Sequence, residues 1–242
     1  MINLVELKNI KKNYGSKEAV KDLSFQIKEN EVLGLLGPNG CGKTTTIGMM
    51  LGLLKPTSGE ILIDNKKIEE NRIEILKKIN FISPYIELPK KLTVKQNLIV
   101  YGKLYNIKNL NNSIDYLVEK LRLKELLNKI TGELSSGQKN RVSLAKALIN
   151  SPKVLLLDEP TASLDPEVGD YIRTFLENYK KERKISILLA SHNMNEVKRL
   201  CKFVLMMKDG VIIDKGSPSE LIEKHGQKNL EEVFLKLSRS KK

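Results

Sequence analysis

Apolar residues recur along the chain with two different periods. Alternation at about 3–10 and 19–27 predicts the half-buried strands of an antiparallel sheet. Unbroken apolar runs at Val32-Leu33-Gly34-Leu35-Leu36, Val154-Leu155-Leu156-Leu157 and 185–190 predict buried strands instead. A helix is expected to start at Thr44, and Pro56-Thr57-Ser58-Gly59-Glu60 reads as a turn before the strand Ile61-Leu62-Ile63. From about 85 to 150 the pattern is mainly helical. Within it Leu92–Leu98 opens one helix, and 138–150 carries an apolar face of Val142, Leu144, Ala145, Ala147, Leu148 and Ile149. Beyond 152 strands and helices alternate again, with Lys208-Asp209-Gly210 as a hairpin turn and 229–235 as a short amphipathic helix. The expected fold is α/β, with a mostly parallel core, an antiparallel β subdomain and a helical lobe. No internal repeat or low-complexity segment is visible.

Candidate chemistry sits where the buried strands end. Residues 37–44, Gly37-Pro38-Asn39-Gly40-Cys41-Gly42-Lys43-Thr44, form a complete G-x-x-x-x-G-K-T phosphate-binding loop between a strand and a helix. Glycines 37, 40 and 42 let backbone N–H groups turn toward the phosphates, and the helix that follows adds the positive end of its dipole. Lys43 would reach the β- and γ-phosphates, the Thr44 hydroxyl would ligate Mg²⁺, and Thr45 completes the ATP-binding stretch. Cys41 reads as a small residue that fits the loop. The second buried run ends in Asp158-Glu159-Pro160-Thr161. Asp158 stands where a strand-end carboxylate holds Mg²⁺ beside a P-loop, and Glu159 where it would polarise the attacking water. An isolated Asp-Glu pair would read as solvated loop; four apolar residues directly before this one argue for a strand end.

Taken with these motifs, the chain resembles the nucleotide-binding subunit of an ATP-binding cassette (ABC) transporter over nearly its whole length. Leu134-Ser135-Ser136-Gly137-Gln138 looks like the family's signature motif, Val154–Glu159 like its Walker B strand, and Ala162-Ser163-Leu164-Asp165 like its D-loop. His192 looks like the switch histidine, and Tyr14 falls where an aromatic ring stacks on adenine. The resemblance implies a P-loop NTPase core that binds ATP and Mg²⁺, and two cassettes that close head to tail. One cassette's P-loop and the other's Ser135, Ser136, Gly137 and Gln138 then enclose each ATP. It implies that Asp165 couples the two cassettes and that hydrolysis uses Glu159 and His192. Alone, Ser135–Gln138 reads equally as a helix-capping loop, His192 as a structural histidine and Tyr14 as a core aromatic. His225, in a polar stretch, reads as surface. The implied organisation is one cassette over 1–242, with 1–84 and 152–215 as catalytic core, 85–151 as helical lobe and 216–242 as a helical tail.

One position departs from the family. Its usual glutamine between core and helical lobe, which contacts Mg²⁺, is replaced by Pro84 in Ile79-Asn80-Phe81-Ile82-Ser83-Pro84-Tyr85. Proline offers neither side-chain oxygen nor backbone N–H. Ser83, Tyr85 and Glu87 are the candidate replacements, whereas Gln96 belongs to a later helix. Ser136 replaces a glycine with the addition of one hydroxymethyl group.

Composition narrows the partners. No apolar run approaches the length of a membrane-crossing helix, and the N-terminus has no signal-peptide pattern. Two cysteines form no metal-ligand pattern. The expectation is a protein peripheral to the cytoplasmic face of a membrane, whose pore is a separate permease subunit. A net charge of +13 fits that surface. The basic residues are scattered, apart from 180–184 and 239–242, and accompany no nucleic-acid module, so nucleic acid is the less favoured partner. The C-terminal stretch and Leu92–Leu98 resemble exporter-type subunits. A soluble ABC ATPase acting on ribosomes or DNA is the competing reading, together with a regulatory ATP-binding module of weak turnover suggested by Pro84.

Overall fold

The computed structural model describes residues 3–84, 86–162 and 164–239. Tyr85, Ser163, Met1, Ile2 and 240–242 lie outside the described residues, and with them one candidate glutamine replacement, one D-loop position and the end of the basic tail. The chain packs as two compact units, one of 1–76 with 186–242 and one of 77–185.

Strands β1 (Asn3–Tyr14) and β2 (Lys17–Lys28) pair antiparallel where alternation was expected. The run after them is β3 (Val32–Leu36), buried at every position, and it leads through the P-loop into α1 (Lys43–Met50). After a turn come β4 (Ser58–Ile63), the short β5 (Lys66–Lys67) and α2 (Ile68–Leu76). β2, β1, β4 and β5 lie in that order in an antiparallel sheet.

The 77–185 unit begins with β6 (Ile79–Ile82) and continues through α3 (Val94–Leu104), α4 (Leu110–Lys120) and α5 (Ser136–Leu148). It closes with β7 (Val154–Asp158), parallel to β6, and α6 (Pro166–Arg183). Gln96 explains itself here. Its Oε1 accepts from Thr93 N–H at 2.8 Å while Thr93 Oγ1 accepts from Gln96 N–H at 3.1 Å, a capping box that starts α3.

The first unit then resumes with β8 (Ser186–Ala190), α7 (Met194–Leu200), β9 (Phe203–Lys208), β10 (Val211–Gly216), α8 (Pro218–His225) and α9 (Leu230–Arg239). β3 lies between β8 and β9 and runs parallel to both. β3 is buried at every position, on both faces of its sheet, which is why its run is continuous rather than alternating. Asp209 and Gly210 both have positive φ in the β9–β10 turn, the geometry of a tight hairpin. Among the described residues no helix is long and apolar enough to cross a membrane.

Gly59 shows how closely the antiparallel sheet is packed. It has φ +88, and an added Cβ would meet Asn9 O at 2.4 Å and Lys8 O at 2.5 Å, at the register shift between Lys8 and Lys11 of β1. Gly59→Ala should therefore lower stability by roughly 2 kcal/mol or more, read as a fall in the urea midpoint at unchanged slope.

Candidate active site

The P-loop is a tight backbone cage. Gly40 and Gly42 have φ +78 and +112, values that favour glycine. A Cβ on Gly37 would lie 2.3 Å from Met207 O and 2.5 Å from Cys41 Sγ; one on Gly42 would lie 2.7 Å from Ala19 O. Gly210 N–H donates to Cys41 O at 3.1 Å, while Gly210 O accepts from Lys21 N–H at 2.9 Å. The β9–β10 turn thus braces the loop against β2.

Inside this cage the Lys43 ammonium donates to Gly37 O at 2.6 Å and Pro38 O at 3.2 Å, with its side chain buried. Thr44 is exposed at the first turn of α1, and Asn39 and Gly40 are exposed at the loop tip. Helix α1 has no side-chain cap and no acidic residue in its first turn, so its N-terminal end remains positive. Thr46, two residues on, is turned inward and donates to Gly42 O at 2.9 Å. Cys41 is buried, and burial pushes its thiol pKa up against the pull of Lys43.

His192 and Tyr14 belong to the same unit. His192 is exposed just after β8, between buried Ser191 and the Asn193 cap whose Oδ1 accepts from Asn195 and Glu196 N–H. Tyr14 ends β1 with 48% of its surface exposed and Lys12 Nζ 5.2 Å above its ring, so it is not a core aromatic. His225, expected to be simple surface, is instead mostly covered: its Nε2 lies 2.6 Å from Asp214 Oδ2, and Lys224 holds the other carboxylate oxygen at 2.6 Å. Nothing in the local pattern announces this pair, because Asp214 comes from β10 and His225 from α8.

In the 77–185 unit, Asp158 is buried at the end of β7. Glu159 follows with φ +51, the left-handed region that a residue with a Cβ rarely occupies. Ser135 caps α5 through a second capping box: Ser135 Oγ accepts from Gln138 N–H at 3.3 Å and Gln138 Oε1 from Ser135 N–H at 3.1 Å. The Ser135 oxygen is thus an acceptor, and its hydroxyl proton stays available to donate. Ser136 is exposed and Gly137 half-buried in the first turn. Asp165 caps α6, accepting from Val168 N–H at 3.0 Å. Pro84 is exposed at the rim of a cavity of about 230 Å³ lined also by Leu88, Leu134, Asn140, Glu159 and Leu164. Glu87, one candidate replacement for the glutamine, is ion-paired with Lys90 at 2.6 Å, which holds its carboxyl below the usual range.

Comparison with known proteins decides the family. Residues 20–162, more than half of the chain, match the family described as ABC transporter. The chain belongs to the ABC transporter family. It is 36% identical over 234 residues to the bacitracin transport ATP-binding protein BcrA of Bacillus licheniformis, covering 96% of this chain and 75% of that one. It is 39% identical over 222 residues to the Nod factor export ATP-binding protein I of Rhizobium johnstonii, covering 90% of this chain and 71% of that one. Among solved structures, a dimeric ATP-binding cassette in a post-hydrolysis state bound to ADP and Pi matches with TM-score 0.80 at 28% identity, over 88% of this chain and 98% of that one. The chain is accordingly an ABC ATPase, the ATP-binding subunit of a transporter, with the P-loop α/β fold expected from its sequence.

Two further contacts of α5 are not revealed by the motifs. Asn140 Nδ2, in the second turn of α5, donates to Pro160 O at 2.6 Å. Lys146, further along α5, projects between rings: its Nζ lies 5.1 Å from the centroid of Phe81 and 5.3 Å from that of Tyr101. Burial lowers the Lys146 ammonium to about 8.

The sign of that shift gives a test. Between about pH 8 and 10.5 the folded chain holds fewer protons at Lys146 than the unfolded chain, so this group's contribution to stability rises with pH across that window. Urea unfolding of wild type and Lys146→Met at the two ends of the window should show the wild type gaining about 1–2 kcal/mol relative to the variant. Equal pH slopes in the two proteins count against the buried, depressed lysine.

Proposed function

We propose that this cassette pairs with a second cassette, identical or not, around two ATP molecules and drives a separate membrane permease that exports its cargo. The observation that carries the reading is the P-loop itself. It combines an uncapped helix end, a buried lysine whose ammonium is held by loop carbonyls, and glycine turns too tight for side chains. This set of groups fits a polyphosphate. Among the described residues no three His, Cys, Asp or Glu side chains converge as a metal cage. Mg²⁺ is usually held by one or two protein oxygens together with substrate phosphates. Thr44 and Asp158 are the residues we assign to it, and when bound it neutralises charge on the phosphates.

In this reading Lys43 and the N–H groups of Gly40, Gly42, Thr44 and Thr45 bind the phosphates, with Pro38, Asn39 and Cys41 shaping the loop, where Cys41 N–H donates to Pro38 O at 3.2 Å. Tyr14 stacks on adenine, and its exposed ring supports that role. Ser135, Ser136, Gly137 and Gln138 present a capped helix end to the ATP held by the partner cassette. Asp165, fixed at the start of α6, couples the two cassettes. Glu159 polarises the attacking water, and His192 holds the γ-phosphate. Catalysis is then mainly positional and electrostatic. The names of its relatives, Nod factor export among them, support outward transport. A peripheral position on the cytoplasmic face of the membrane fits the net charge of +13. Lipid headgroups that are anionic there attract a basic cassette.

Glu159→Gln should still bind ATP, hydrolyse it at least about 100-fold more slowly, and accumulate as a dimer in Mg-ATP by size-exclusion chromatography. A variant that stays monomeric in saturating Mg-ATP and keeps its turnover removes Glu159 from the reaction. Copurification of the tagged chain with an integral membrane protein tests the permease. A fraction bound to ribosomes that survives high salt would favour the soluble alternative.

A further inference from the structure

We propose that Asn140 is a positioning residue that ties the setting of Glu159 to the first turns of α5. This rests on the reading of Glu159 as the residue that polarises water. The backbone after Asp158 is unusual in two respects. Glu159 is left-handed, a conformation that persists in a residue with a Cβ only when its surroundings hold it. Pro160 has no N–H, so its carbonyl is its one backbone polar group.

The segment closes as a turn, with Ala162 N–H donating to Glu159 O at 3.1 Å and Pro160 in the second position, where proline is favoured. That bond leaves the Pro160 carbonyl outside the turn. Asn140 meets it there with a side-chain amide N–H at 2.6 Å. A carbonyl accepts only from a donor, which assigns the NH₂ end of the amide to this contact. Asn140 and Glu159 also line the same cavity, with Pro84 at its rim.

The other end of the connection is the signature. Ser136 and Gly137 lie four and three residues before Asn140, on the same helix face. Gly137 leaves room toward α6: an added Cβ there would sit at ordinary contact distance, 3.5 Å, from Val168 Cγ1. The chain just after Glu159 is therefore held to α5 at Pro160, by Asn140. Val168 N–H in turn is taken by Asp165. A shift of the α5 end that meets the partner's ATP reaches the Glu159 backbone of the same chain through one hydrogen bond. Asn140 in this way links the site completed in the partner to the base of its own.

Steady-state Mg-ATPase measurements on the full chain test the link. Asn140→Ala should lower kcat by roughly tenfold to a hundredfold, as expected when a reacting group loses its orientation. KM for ATP should stay within about twofold, because the P-loop is untouched. Asn140→Gln, which keeps the amide donor, should recover part of the loss. Asn140→Asp sets a carboxylate against the carbonyl, and its activity relative to wild type should rise as the pH falls from about 8 toward 5, where the acid regains an O–H donor. That pH series also decides the matter if Asn140→Ala does not fold. Wild-type kcat in Asn140→Ala beside an inactive Glu159→Gln overturns the role of Asn140 alone. So does a raised KM with unchanged kcat, or a relative activity of Asn140→Asp that is flat with pH. Retained turnover in Glu159→Gln overturns the assignment of Glu159 itself, whatever Asn140→Ala does.

Discussion

The close approach of three backbones around the P-loop is the constraint on which its unit depends. Gly37 faces the carbonyl of Met207, Gly42 faces that of Ala19, and Gly210 donates to Cys41. No side chain fits between these segments. The motif glycines are therefore required by contact with β9 and β2 as well as by the turn itself. β3, paired with β8 on one edge and β9 on the other, delivers the loop against the β9–β10 turn. The lysine that would meet a triphosphate is held within this frame by loop carbonyls. Its side chain is buried there, and a charge in such a setting attracts an anion more strongly than one in water.

The 77–185 unit solves a different problem, that of presenting a helix end without leaving it unsatisfied. Ser135 and Gln138 take each other's backbone N–H groups, so the signature glutamine serves the start of the helix. The capping-loop and signature readings of Ser135–Gln138 are thus compatible in one set of atoms. Glu159 meets the opposite condition, since its backbone is strained and is held by its neighbours.

Much of this was legible in the sequence because it is local. The buried strands, the β9–β10 hairpin, the helix after the P-loop and the α9 helix all announce themselves by period or by turn residues within a few positions. What escaped is non-local. His225 looked like surface because Asp214 stands eleven residues away on another element. Asn140 and Pro160 are twenty residues apart, and Lys146 is 65 from Phe81. No spacing rule joins such pairs; only the packing of separate elements does. Motif residues were found by type and order, whereas the residues that hold them had no motif to carry them.

One quieter feature has practical weight. Cys41 is sealed in the P-loop, and Cys201 is buried beside Gly34, where its Sγ sits 3.0 Å from the place a Cβ would occupy. Burial raises both thiols, that of Cys201 far above the usual range. Thiolates, not thiols, react with maleimides and nitroxide reagents. A cysteine placed on the surface would therefore outcompete both native ones for label. The chain comes ready for fluorescence or spin-resonance distance measurements with its own cysteines left in place.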